Sequence, residues 1–130
     1  MLFRSIGIIA AVAYPSYQNY VKKSNRVDVQ TEMLLIYRDL ENYKSAKGTY
    51  ANAKLKNGTF TESYPLTGTA QYTIKLDIAS NNSSWTLTAS PITTGIQAGN
   101  GDIVLNNKGY KCWIKATTCT PAPNTDWTGS

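Results

Sequence analysis

The chain has 130 residues, of which 42% are hydrophobic, so its size and composition suit one folded domain. It contains no histidine and only two cysteines, which removes the commonest general base and excludes a cysteine-rich zinc site. Residues 1–26 hold four of the 13 basic residues and no acidic one, and the remaining nine basic and eight acidic residues nearly cancel. The net charge of +5 is therefore local and gives no general signal for nucleic-acid binding.

The N-terminal stretch "IGIIAAVAYPSYQNYVKKSNR" changes from apolar to aromatic to basic along its length. Its apolar run, residues 6–14, is too short to span a bilayer alone, since a span needs about 20 residues. This order predicts a helix that passes from an apolar environment into water.

The next segment has the spacing of an amphipathic helix, with apolar residues at intervals of three or four. These residues are Val29, Met33, Ile36, Leu40 and Tyr43. We predict one long helix from Ile6 to about Lys47, whose second half packs on a sheet of the same chain.

Residues 48–70 show no sustained periodicity and predict a long loop. Beyond them the period changes to two in "YTIKLDIAS", "WTLTA", "DIVLN" and "YKCWIK", separated by turn-rich passages. We therefore predict an α+β fold, with the long helix packed on a four-stranded antiparallel sheet.

The two cysteines lie near the C-terminus. A disulfide between Cys112 and Cys119 would tie the C-terminal loop to the last strand and would place the protein in an oxidising compartment. Two free thiols or a redox site are the alternatives, although C-x6-C is not the spacing of a thiol–disulfide catalyst.

The N-terminal stretch, its amphipathic continuation to "YKSAKGTY", and the strand "NNKGYKCW" together resemble the type IV pilins, in particular the minor and DNA-uptake pilins. The resemblance implies the type IV pilin fold. It divides the chain into an assembly and membrane helix segment, residues 1–26, and a globular head, residues 27–130. The head would comprise helix 27–47, loop 48–70, and the antiparallel strands and C-terminal loop, 71–130.

The resemblance also implies a structural subunit, minor rather than major, of a type IV pilus. Such a subunit is held in the bacterial inner membrane before it joins other pilins in an extracellular filament that supports adhesion, twitching motility or DNA uptake. The expected assembly residues are Ile6, Ile8, Ile9, Ala10, Val12, Tyr14, Pro15, Tyr17 and Tyr20. The segment before Ile6, "MLFRS", lacks the family's Gly-Phe processing site and early glutamate, so we expect the start of the chain to be incomplete.

Two alternative functions remain open: a pseudopilin of a type II secretion system, and a pilin that binds DNA in natural transformation. The candidate DNA contacts are Lys75, Lys108, Tyr110, Lys111, Trp113 and Lys115. The scattered carboxylates and the absence of histidine indicate no enzyme, and we predict no cofactor, metal or small-molecule substrate.

Overall fold

The computed structural model describes residues 2–128, and it describes the side chains from residue 16 onwards. Its single helix, α1, runs from Leu2 to Lys47 and continues through Pro15. Five strands follow within the described range: β1 (Thr61–Tyr64), β2 (Tyr72–Ile78), β3 (Trp85–Pro91), β4 (Ile103–Asn106) and β5 (Lys111–Trp113). The predicted α+β architecture is confirmed.

The strands form one antiparallel sheet in the order β1-β2-β3-β4-β5. The sheet has one strand more than predicted, because β1 lies inside the segment that was interpreted as a loop. β1 pairs with β2 from Thr61 opposite Lys75 to Tyr64 opposite Tyr72. Its one buried residue is Glu62, so β1 lacks the alternating apolar pattern by which strands are identified.

The helix packs its apolar stripe against one side of the sheet, as the spacing predicts. Val29, Met33, Ile36 and Leu40 are all buried there. They form one hydrophobic core with the buried residues of strands β2 to β5. These residues are Tyr72, Ile74, Leu76, Trp85, Leu87, Ala89, Ile103, Leu105 and Trp113. This packing joins the second half of α1 to the sheet in one hydrophobic core.

The head has two ends, which we call the tip and the base. At the tip, the β2–β3 turn meets the chain after α1, where the Tyr50 N–H donates to the Asn82 carbonyl at 3.2 Å. The β4–β5 turn also lies there, with Gly109 beside the Tyr37 hydroxyl. At the base, residues 92–102 lie against the part of α1 that contains Lys22 and Arg26.

Gly101 allows the base to close. Its backbone has a φ of +94°, and a side chain at this position would collide with the carbonyl oxygen of Ile114 and crowd that of Thr117. Only glycine accommodates both the backbone angle and the contact. The loop after β3 is therefore packed tightly on the segment that follows β5.

The Cys112–Cys119 disulfide is present, with the two Cα atoms 6.1 Å apart, and this prediction is confirmed. It begins a C-terminal segment that lies along the free edge of β5. The Trp113 N–H donates to the Asp126 carbonyl at 3.0 Å, and the Trp127 indole donates to the Val104 carbonyl at 3.1 Å. The tail therefore covers the edge of the sheet that would otherwise be unpaired.

Candidate functional site

The β4–β5 turn carries two of the predicted DNA contacts at the tip. Asn106 shapes the turn, since its side-chain oxygen accepts from the N–H groups of Lys108 at 3.0 Å and Tyr110 at 3.1 Å. Lys108 is exposed, and its Nζ lies 5.9 Å from the centre of the half-buried Tyr110 ring. A compact hydrogen-bonded turn thus presents a cation beside an aromatic ring.

Lys111 lies on the same edge of the sheet, at the first position of β5. Its Nζ is 5.2 Å from the centre of the Trp127 ring, which the tail places beside the strand. Among residues 16–128, neither Lys108 nor Lys111 has a carboxylate within 4.0 Å. Within that part of the chain, these two lysines therefore carry positive charge that no ion pair neutralises.

Lys75 does not belong to this group. It lies on β2, which β3 and β4 separate from β5, and its Nζ is 3.5 Å from the Asp77 carboxylate. The structure therefore does not bring Lys75 together with the cations of the β5 edge.

Trp113, another of the predicted DNA contacts, lies at the base and not with Lys108 and Lys111 at the tip. The side chain is only 7% exposed and belongs to the core, and its indole N–H donates to the Asn100 carbonyl at 3.0 Å. The Arg26 guanidinium covers its ring, 3.8 Å from the ring centre, and donates to the Asn100 side chain at 3.3 Å. A ring packed in this way, with one face covered by Arg26, offers a base little surface on which to stack.

Lys115 lies at the base, in a cluster that the sequence did not reveal. A cavity of about 310 Å³ lies between α1, the loop after β3 and the end of β5. Four cationic residues line it, Lys22, Lys23, Arg26 and Lys115, and no acidic residue does. Partial burial lowers the pKa of the Arg26 guanidinium, and the nearby Tyr72 raises it in part. The side chain nevertheless stays charged, because the pKa of arginine is far above neutral pH.

Gln97 fixes the position of this end of the helix. Its side chain is completely buried, and its amide nitrogen donates to the Tyr72 hydroxyl at 2.8 Å and to the Lys22 carbonyl at 3.1 Å. Its amide oxygen accepts from Asn25 at 3.2 Å. The hydrogen bonds of Gln97 therefore tie the head to Lys22 and Asn25, which lie before the boundary drawn at residue 27.

The two sides of α1 carry opposite charges, acidic on the β1 side and basic on the β5 side. Asp28, Glu32 and Asp39 face the β1 side, where the Asp39 carboxylate lies 4.0 Å from the Lys56 Nζ. Burial raises the pKa of Glu62 on β1, and the charge of Glu32 adds to this effect. Arg26 and the lysines of the cavity lie on the opposite, β5 side.

Most predicted assembly residues, Ile6 to Pro15, have side chains outside the described part of the chain. The two that are described, Tyr17 and Tyr20, are 65% and 70% exposed.

Within residues 2–128, no helix has the length and hydropathy needed to cross a membrane. Among the described residues, no three His, Cys, Asp or Glu side chains lie close enough together to bind a metal ion.

Comparison with known proteins gives one family and one fold. The family described as type IV minor pilin ComP, DNA uptake sequence receptor, matches residues 15–103, about two thirds of the chain. A type IV pilin from Shewanella oneidensis is 21% identical, with a TM-score of 0.55. The non-core minor pilin PilV of Neisseria meningitidis is 20% identical, with a TM-score of 0.57.

Each of these two structures covers 82% of this chain and is itself covered over 98% of its length, so the likeness extends over nearly the whole fold. No curated protein sequence matches the chain significantly. Type IV pilins are structural subunits that assemble with other pilins into extracellular filaments. We conclude that the chain belongs to the ComP family of type IV minor pilins and is a minor subunit of such filaments.

Proposed function

We propose that this minor pilin binds double-stranded DNA at its tip, through Lys108, Tyr110 and Lys111. The family description supports a DNA uptake receptor. The observation that carries the proposal is the pair of lysines in the β4–β5 turn and at the start of β5, neither of which has a carboxylate within 4.0 Å among residues 16–128. Lysines without ion-pair partners can donate hydrogen bonds to the phosphate oxygens of DNA.

The contact would be mainly electrostatic. Each phosphate neutralised releases counterions, so the logarithm of the binding constant falls with that of salt by about 0.9 per contact. Two lysines predict a slope of about −2. Tyr110 lies between the two lysines in sequence and presents a half-buried ring beside Lys108, which suits contact with a sugar or base edge.

Fluorescence anisotropy with a labelled duplex tests the proposal. We expect Lys108→Glu combined with Lys111→Glu to weaken binding more than about tenfold, because each substitution converts an attraction for phosphate into repulsion. The matched control is Lys54→Glu combined with Lys56→Glu, which makes the same charge change at two exposed lysines near Asp39. Equal losses in both double variants, or no binding by the wild type at low salt, would contradict the proposal.

We further propose that residues 1–26 hold the subunit in the inner membrane before assembly and pack against other pilins afterwards, with no catalytic activity. The apolar run 6–14 and the exposure of Tyr17 and Tyr20 support this arrangement. A partner surface would cover the apolar run and the two rings. Detection of the subunit in the membrane fraction of cells that cannot assemble pili, and in sheared filaments of cells that can, is the corresponding measurement.

A further inference from the structure

The cavity at the base concentrates like charges in an unusual way. Lys22 and Arg26 are one helical turn apart, as are Lys23 and Arg26, and such spacings bring side chains together on a helix. Lys115 joins them from the chain beyond β5. Within residues 16–128, no carboxylate lies within 4.0 Å of any of the four cations. Like charges at this spacing destabilise a helix unless an anion is bound between them.

One of the four cations is held in place before any ligand arrives. Arg26 is stacked on Trp113 at 3.8 Å and donates to the buried Asn100 side chain at 3.3 Å. Lys23 and Lys115 are exposed at the rim, free to move toward a ligand. A fixed guanidinium with mobile ammonium groups around it is a common arrangement for phosphate recognition.

The position of the cavity along α1 favours a lipid headgroup as the source of phosphate. The exposed rings of Tyr17 and Tyr20 follow the apolar run, and tyrosines of this kind are enriched at the membrane–water interface. Lys22 and Lys23 come two and three residues after Tyr20, about 3 to 5 Å further along the helix axis. The headgroup layer of a bilayer is about 5 to 8 Å thick on each side. The cavity would thus lie at the level of the lipid phosphates, whereas the proposed DNA contacts lie at the tip.

We propose that the cavity formed by Lys22, Lys23, Arg26 and Lys115 binds the phosphate of an anionic phospholipid headgroup while the subunit is in the membrane. This inference rests on the membrane-held stage proposed above and is independent of the DNA contact at the tip. The bound headgroup offsets part of the positive charge of the cluster and sets the height of the head above the bilayer. Extraction of the subunit into a filament then requires release of that lipid.

Titration of the full chain, kept in a neutral detergent, with short-chain phosphatidylglycerol tests the inference. Calorimetry should show saturable binding, weakened more than about 25-fold by Lys23→Glu with Lys115→Glu, since each basic residue near an anionic surface contributes roughly fivefold. Lys23→Gln with Lys115→Gln should give a smaller loss and keeps the test valid if charge reversal disturbs folding. Lys54→Glu with Lys56→Glu is the matched control and should bind as the wild type does.

Three competing ligands separate the sources of phosphate. Phosphatidylcholine of the same chain length and inorganic phosphate should both bind much more weakly than phosphatidylglycerol. Equal binding of the two lipids, or displacement of phosphatidylglycerol by inorganic phosphate at a similar concentration, would overturn the assignment to an anionic lipid. Loss of duplex DNA binding in the Lys23 and Lys115 variant would assign the cavity to DNA and overturn it too. Because the tip variant should keep lipid binding, failure of one proposal is distinguishable from failure of the other.

Discussion

Replacement of Gln97 by leucine tests how the head is fixed to the helix. The substitution keeps approximate volume but removes the three hydrogen bonds to Tyr72, Lys22 and Asn25. At about 0.5 to 1.5 kcal/mol for each bond, partly offset by the apolar side chain, we expect a loss of about 2 to 3 kcal/mol in the free energy of unfolding.

Urea denaturation followed by tryptophan fluorescence measures this loss. The matched control is Gln71→Leu, since the half-buried Gln71 side chain donates one hydrogen bond, to the Thr69 carbonyl at 3.3 Å. We expect the control to cost less than about 1 kcal/mol, because water can satisfy the lost partner.

A double-mutant cycle with Tyr72→Phe isolates the pair at the centre of this network. Tyr72→Phe alone should lower the free energy of unfolding by about 1 kcal/mol. The double variant should lose about 1 kcal/mol less than the sum of the losses in the two single variants, and this difference is the coupling energy. A Gln97→Leu cost below about 0.5 kcal/mol, or additivity of the two substitutions, would refute the role of Gln97 in holding α1 on the head.

Two further predictions concern stability. Cys112→Ala with Cys119→Ala opens a closed loop of about eight residues, and the chain-entropy relation predicts a loss of about 2.5 kcal/mol in the urea assay, which an unchanged midpoint would contradict. Glu62→Gln should modestly stabilise the neutral-pH protein, because burial and the charge of Glu32 disfavour the ionised carboxylate more than Lys56 favours it. Since the pKa of Glu62 is raised on folding, the unfolded chain loses this proton first. Wild-type stability should therefore fall as pH rises from the ordinary glutamate range, and the variant should lose that part of the dependence.

The sequence was sufficient for the parts of the fold that depend on local periodicity. The apolar residues from Val29 to Leu40 repeat with the period of a helix, and β2 and β3 carry an alternating pattern. Cys112 and Cys119 are the only cysteines, so a disulfide could pair no others. The N-terminal order of apolar, aromatic and basic residues indicated the pilin family.

The strand β1 was missed because its pairing, rather than its composition, makes it a strand. Glu62 is its one buried side chain, so no apolar alternation marks it. Four residues of β1 lie opposite residues of β2, and this pairing holds the segment in the sheet. A short strand of this kind depends on the neighbour that it extends.

The site depended on contacts between residues far apart in the chain. Trp113 looked available in a sequence of lysines and aromatic residues, yet Arg26, from the helix, covers its ring. Gln97 lies in a turn-rich stretch and is nevertheless completely buried. Local periodicity determined the elements, because 3.6- and two-residue repeats are properties of neighbouring residues. The packing of the helix on the sheet decided that Lys115 meets Lys22, Lys23 and Arg26, because only the folded chain brings those positions together.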